Sequence, residues 1–130
     1  MSRRDVVVPS GHESVYEQWH LAPAVRVGDT LLCSGVIGTA ADGSVPEDLA
    51  AQIEVAFDNL EVVLAAAGMD LSDVVELVTF HLDLAEVPVF MAVRDRRLHE
   101  PWPAWTAIGV SGVGGGLPGV RLEMKATAAR

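Results

Sequence analysis

The chain has 130 residues, half of them hydrophobic, and a formal net charge of −9 from nine Lys and Arg against eighteen Asp and Glu. That length predicts one domain over residues 1–130, and the acidic balance leaves no global basic stripe for nucleic-acid phosphates. A single cysteine, Cys33, excludes an intramolecular disulfide, and no apolar run approaches membrane-spanning length. The expectation is a cytoplasmic protein with no nucleic-acid or membrane partner. So apolar a small chain often buries surface against copies of itself, a first pointer to a homo-oligomer.

In chain order, Asp5 to Pro9 reads as a short edge strand and Pro9-Ser10-Gly11 as a turn. His12 to Pro23 has no clear period. Val25 and Val27, the Gly28-Asp29 turn and Thr30 to Gly35 read as a β-hairpin, followed by a loop with Asp42-Gly43 at its tip. Pro46 to Gly68 carries Leu49, Ile53, Phe57, Leu60 and Leu64 at three- and four-residue steps, which predicts a helix. Glu47 and Asp48 fall in its expected first turn, and Gly68 follows as a left-handed cap.

Asp73 to Asp83 is apolar on both alternating faces, as in a central strand covered on two sides. Val74, Val78, Phe80 and Leu82 are expected on one face, interrupted by Glu76, and Val75, Leu77, Thr79 and His81 on the other. A second helix is expected from about Glu86 to His99, with Pro88 in its first turn. After Pro101 and Pro103, Trp105 to Val110 reads as a strand that a Gly-rich loop, Ser111 to Gly119, returns as a hairpin into Val120–Thr127. Two helices cover one face of such a sheet, so a symmetric homo-oligomer is the economical cover for the other.

These segments resemble the RidA family, also called YjgF or L-PSP. Val25-Arg26-Val27-Gly28 through Ser34-Gly35 is similar to its V-x-V-G…S-G hairpin. Asp48 to Gln52, Asp58-Asn59-Leu60 and Ala65 to Gly68 are similar to its first helix, and Pro103-Ala104, Leu117-Pro118 and Leu122-Glu123-Met124 to its closing segment. The match covers roughly residues 24–128. The resemblance implies a chorismate-mutase-like α+β fold and a homotrimer with a barrel-like core and clefts between subunits. It also implies cofactor-free hydrolysis of reactive imines or enamines to keto acids and ammonia.

In that family an arginine after Pro-Ala holds the substrate carboxylate, and the last-strand glutamate positions water. Here the arginine position is Trp105, and the cysteine often found two residues later is Ala107. Leu21 and Val36 stand where the family has tyrosine and often glutamine. A planar cation with five donors has become a neutral ring with one. Little activity on small amino-acid enamines is expected, and a bulkier imine is favoured as substrate.

Glu123 is the catalytic candidate, as orienter of water; the bland alternative is a surface carboxylate paired with Arg121 or Lys125. Ser34 and Gly35 are candidates to hold a ligand oxygen, against the alternative of a tight strand end. Trp105 either walls a pocket or closes it, and Ala107, His20 and Trp19 are candidate lining residues. Arg26 or Arg121 is a possible surrogate cation, while Arg94, Arg96 and Arg97 read as a solvated helix face.

Cys33 reads as a buried hydrophobe and His81 as a hydrogen-bonded interior residue. No His spacing suits a metal, and Gly114-Gly115-Gly116 lacks the Lys-Ser/Thr of a phosphate loop. The rival function is a non-catalytic trimer that binds a metabolite or protein partner. An endoribonuclease, an activity attached by name to some relatives, fits poorly with the acidic charge.

Overall fold

In the computed structural model, which describes residues 4–130, the strands β1 (Arg4–Val7), β2 (Ala24–Val27) and β3 (Thr30–Cys33) form an antiparallel meander. Helix α1 (Glu13–Trp19) lies between β1 and β2 in the chain. After β4 (Val36–Ile37) come α2 (Leu49–Ala66), β5 (Val74–His81), α3 (Val87–Arg97), β6 (Ala104–Gly109) and β7 (Leu122–Ala129). The sheet order is β1-β2-β3-β7-β5-β6, with β4 also on β7. The architecture is α+β, as expected.

The expected closing hairpin does not form. β7 inserts between β3 and β5, antiparallel to both, while β6 pairs in parallel with β5 at the edge. The reason is the connection: α3 carries the chain back across the sheet, so the strand after it runs in the direction of β5. Helix α2 begins later than expected. Asp48 is its N-cap, accepting the Ala51 N–H at 2.9 Å, so the carboxylate caps the helix from outside the first turn. Gly68, at φ 73°, follows the helix as anticipated.

Helix α1 gave no sequence signal because it buries nothing: none of its residues is in the core. The face assignment of β5 needs one correction. A register shift against β7 between Val74 and Glu76 puts Val74 on the buried side and leaves Val75 exposed, while Leu77, Thr79 and His81 stay buried.

Both long helices pack on one face of the sheet. Ile53, Phe57, Leu60 and Leu64 of α2 and Phe90 and Val93 of α3 meet Leu31, Leu77, Leu122, Met124 and Ala126 in one cluster. Phe57 and Phe90 stack at 6.0 Å between the helices. Buried Gln52 ties α2 to the chain before β7: its Nε2 donates to the carbonyls of Pro46 and Gly119, and its Oε1 accepts from the Arg121 amide. The opposite face carries exposed Val6, Leu32 and Ile108 with half-buried Val78 and Phe80. No helix among the described residues is long and apolar enough to cross a membrane.

Candidate functional site

Strand β7 alternates strictly, with Leu122, Met124, Ala126 and Ala128 buried, so Glu123 projects from the opposite face. Its strand partners there are Phe80 on one side and Ile37 on the other. Glu123 is not a surface carboxylate paired with a neighbour, since Arg121 pairs with Glu86 and no ion pair reaches it from Lys125 among the described residues. Instead its Oε1 accepts the Gly114 N–H at 2.8 Å. Its Oε2 lies against Gly35 so closely that a Cβ built there would stand 2.0 Å away. Gly35 is therefore more than a strand end. It makes the space in which the carboxylate lies.

Ser34 spends both its donors internally. Its hydroxyl donates to the Ala22 carbonyl at 2.7 Å and its amide to the Pro23 carbonyl at 2.9 Å. It fixes the chain entering β2, and only Gly35 of the pair touches Glu123. A cleft of about 500 Å3 adjoins them, walled by Ser34, Gly35, Val15, Leu21, Asn59 and Val62. Asn59 braces its rim by donating to the carbonyls of Ile37 and Thr39.

Trp105 lies elsewhere. Its Nε1–H donates to Thr79 Oγ1 at 2.9 Å, and its ring packs 5.3 Å from that of Phe90. Thr79 pairs with Met124, not Glu123, so Trp105 occupies the helix-covered face and Glu123 the open one. Ala107, two residues on, is on the same side as Trp105. One chain thus carries the two groups of candidate residues back to back. Trp19 is exposed, and His20 ends α1 in a left-handed conformation beside Tyr16 and Glu17. Neither lines the cleft beside Gly35.

The hydroxyl of Thr79 also shares a 2.7 Å hydrogen bond with His81 Nε2. Burial lowers the His81 pKa, which disfavours the charged ring in the fold. Burial pushes the Cys33 thiol up to about 11, in keeping with an unreactive interior cysteine. Of the helix arginines only Arg96 is on a solvated face, while Arg94 and Arg97 are largely covered. Arg97 is held by Glu54, Asp58 and Glu61, Arg96 by Glu54, and the Arg94 guanidinium lies 4.9 Å over the Trp105 ring and 5.8 Å over Trp102. Arg26 donates to the Ala67 and Gly28 carbonyls, and Arg121 pairs with Glu86. The Arg94–tryptophan cluster had no local sequence signal, because it joins a helix, a loop and a strand.

The family model described as Endoribonuclease L-PSP matches residues 12–130. The chain belongs to this family. It is 37% identical to the RutC family protein YjgH of Escherichia coli K12 over 117 residues, which span 88% of this chain and 89% of the relative. A solved structure of protein YjgH superposes with a TM-score of 0.84 at 35% identity, covering 98% of this chain and 97% of that one. The 2-iminobutanoate/2-iminopropanoate deaminase of Escherichia coli K12 is 31% identical over 111 residues, 82% of this chain and 84% of the relative. The L-PSP family thus includes imine deaminases alongside proteins described as endoribonucleases, and the fold expected from the resemblance is the fold observed.

Proposed function

We propose that this protein is a hydrolytic deaminase of reactive imines or enamines, with a substrate bulkier than the imines of small amino acids. The observation that carries this reading is the held Glu123 carboxylate. It is aimed by one amide, accommodated by a glycine and neutralised by no cation among the described residues. An uncompensated carboxylate held in this way is suited to act as a general base. Glu123 takes a proton from water as the water oxygen bonds to the C=N carbon and passes it to the nitrogen that receives the C=N electron pair, giving a neutral carbinolamine. Glu123 then takes the carbinolamine hydroxyl proton as the C=O bond forms, the C–N electron pair goes to nitrogen and accepts that proton, and ammonia and a carbonyl product leave. No cofactor enters this balance.

The backbone of Gly35 is the candidate to hold a ligand oxygen, with Ser34 fixing the chain beside it. Copies assemble as homotrimers in this reading, which brings Trp105 and Ala107 of one chain toward Glu123 of another across a cleft. The open sheet face with half-covered Val78 and Phe80 supports that assembly, as do the two back-to-back groups of residues.

A second reading, a non-catalytic binder, draws on Trp105: its single donor is already used on Thr79. Ammonia release from 2-iminobutyrate and from the imine of phenylpyruvate, each generated in situ, separates the two. The deaminase reading expects the larger imine to be preferred and Glu123→Gln to lower its turnover by about 10²- to 10⁴-fold. Turnover of neither imine, or turnover unchanged in Glu123→Gln, refutes it.

A further inference from the structure

We infer that Arg94, stacked on Trp102 and Trp105, is a binding site for the carboxylate of an apolar, ring-bearing monoanion. The contrast with Arg97, three residues on, carries the argument. Both side chains are covered to the same extent, with 18% exposure. Both terminal nitrogens of Arg97 are filled: Glu54 accepts from Nη1 through its carbonyl and Oε1, and Asp58 Oδ1 at 2.8 Å and Glu61 Oε1 at 2.9 Å accept from Nη2. Arg94 has one protein acceptor atom, Asp95 Oδ1, at 3.0 Å from Nε and 2.9 Å from Nη2. Its Nη1 meets no acceptor. No buried side-chain nitrogen among the described residues lacks a partner, so Nη1 opens to solvent.

A guanidinium lying 4.9 Å over one indole and 5.8 Å over another has lost part of its hydration while keeping its charge, which strengthens its attraction for an anion at Nη1. The planar fork fits a carboxylate with two parallel bonds. Asp95 beside it, on a chain of net charge −9, disfavours a dianionic phosphate and leaves a monoanion as the better fit. Trp102, half exposed, supplies a flat apolar surface next to that carboxylate, hence the ring-bearing body. Trp105 is braced from behind by Thr79 and Phe90, and Thr79 by His81.

Binding at Arg94 stands on this geometry alone. Its part in turnover, as the cation that selects imino acids, rests on the deaminase reading. The probes are 3-phenylpropionate and its neutral amide, titrated by calorimetry and by tryptophan emission into the wild type, Arg94→Gln, Arg94→Lys and Arg96→Gln. Thermal melts and sedimentation confirm that each variant retains its fold and assembly.

The expected result is that the acid binds the wild type at least tenfold more tightly than the amide. Arg94→Gln should weaken the acid by about 30-fold without changing the amide. Arg94→Lys should recover only part of the loss, and Arg96→Gln should match the wild type. Absence of acid binding at millimolar concentration, equal affinity for acid and amide, or acid binding unchanged in Arg94→Gln overturns the inference. If the acid binds through Arg94 but no imine is turned over, the anion site stands and the deaminase reading falls. If imines are turned over equally by the wild type and Arg94→Gln, the deaminase reading stands and the part of Arg94 in turnover falls.

Discussion

Gly35→Ala tests whether Glu123 is held in place or only happens to lie there. Gly35 is not in the left-handed region, so alanine is allowed by the backbone and should by itself stabilise by about 0.4–1 kcal/mol through the unfolded chain. In the fold, however, the new Cβ would meet Glu123 Oε2 at 2.0 Å and Cδ at 2.9 Å. The carboxylate must swing away and give up the 2.8 Å bond from the Gly114 amide. A hydrogen bond to a charged group contributes about 1.5–3 kcal/mol, so the net loss is about 1–2 kcal/mol, or a drop of about 3–8 °C in Tm.

Displacement of the base by about 1 Å should lower turnover on the order of 100-fold. The decisive measurement is a double-mutant cycle in urea. In a Glu123→Ala background nothing remains to clash, so Gly35→Ala should become neutral or stabilising. If Gly35→Ala has the same effect with and without the Glu123 carboxylate, the glycine serves something other than that side chain, and the argument for a held base collapses.

Thr79→Val keeps the shape of the side chain but strips Trp105 Nε1 and His81 Nε2 of their shared partner, and should destabilise by about 2–3 kcal/mol in urea titrations. Because burial lowers the His81 pKa from 6.5, the unfolded chain binds a proton below that pH which the folded chain refuses. The urea midpoint should therefore decline as pH falls below 6.5, and His81→Phe should flatten that slope. Arg97→Met leaves Glu54, Asp58 and Glu61 facing one another and should cost about 1–3 kcal/mol, less in 1 M salt. Hydrogen bonds from Arg97 hold the Glu54 carboxyl below its ordinary 4.5, so its contribution is complete above that pH and lost as pH falls through the lowered value. The acid limb of the stability profile should be shallower in Arg97→Met.

What could be read from the sequence was whatever has a local period or a local cap. The stripe of Ile53, Phe57, Leu60 and Leu64 located α2, and Pro88 located the start of α3, because each signal is confined to a few turns of one helix. The alternation around Glu123 gave its direction correctly for the same reason. The bulge that moves Val74 across the sheet was not legible, because one extra residue in a ladder leaves no mark in composition. Pairing of β7 with β3 and β5 rather than β6 depends on contacts far apart in the chain. The three arginines of α3 looked equivalent in sequence. Their different roles come from acids on α2 and rings on the far side of the Glu100–Pro101 turn.

Trp105 shows most sharply why a substitution read by alignment alone can mislead. Replacement of a cation by an indole suggests that charge has left this part of the molecule. In the fold the indole is turned toward α3, bonded to Thr79, and serves as the platform on which another guanidinium lies. The charge is supplied by a helix instead of a strand, and its outer fork is open where Arg97 is closed. Glu123 meanwhile faces the other side of the sheet, held by an amide from the Gly-rich loop. Within one chain a substrate bonded to Arg94 is separated from Glu123 by the thickness of the sheet. Cooperation between the two in one reaction therefore requires a second copy, and the open face bearing Val78 and Phe80 offers apolar surface for such a copy to bury.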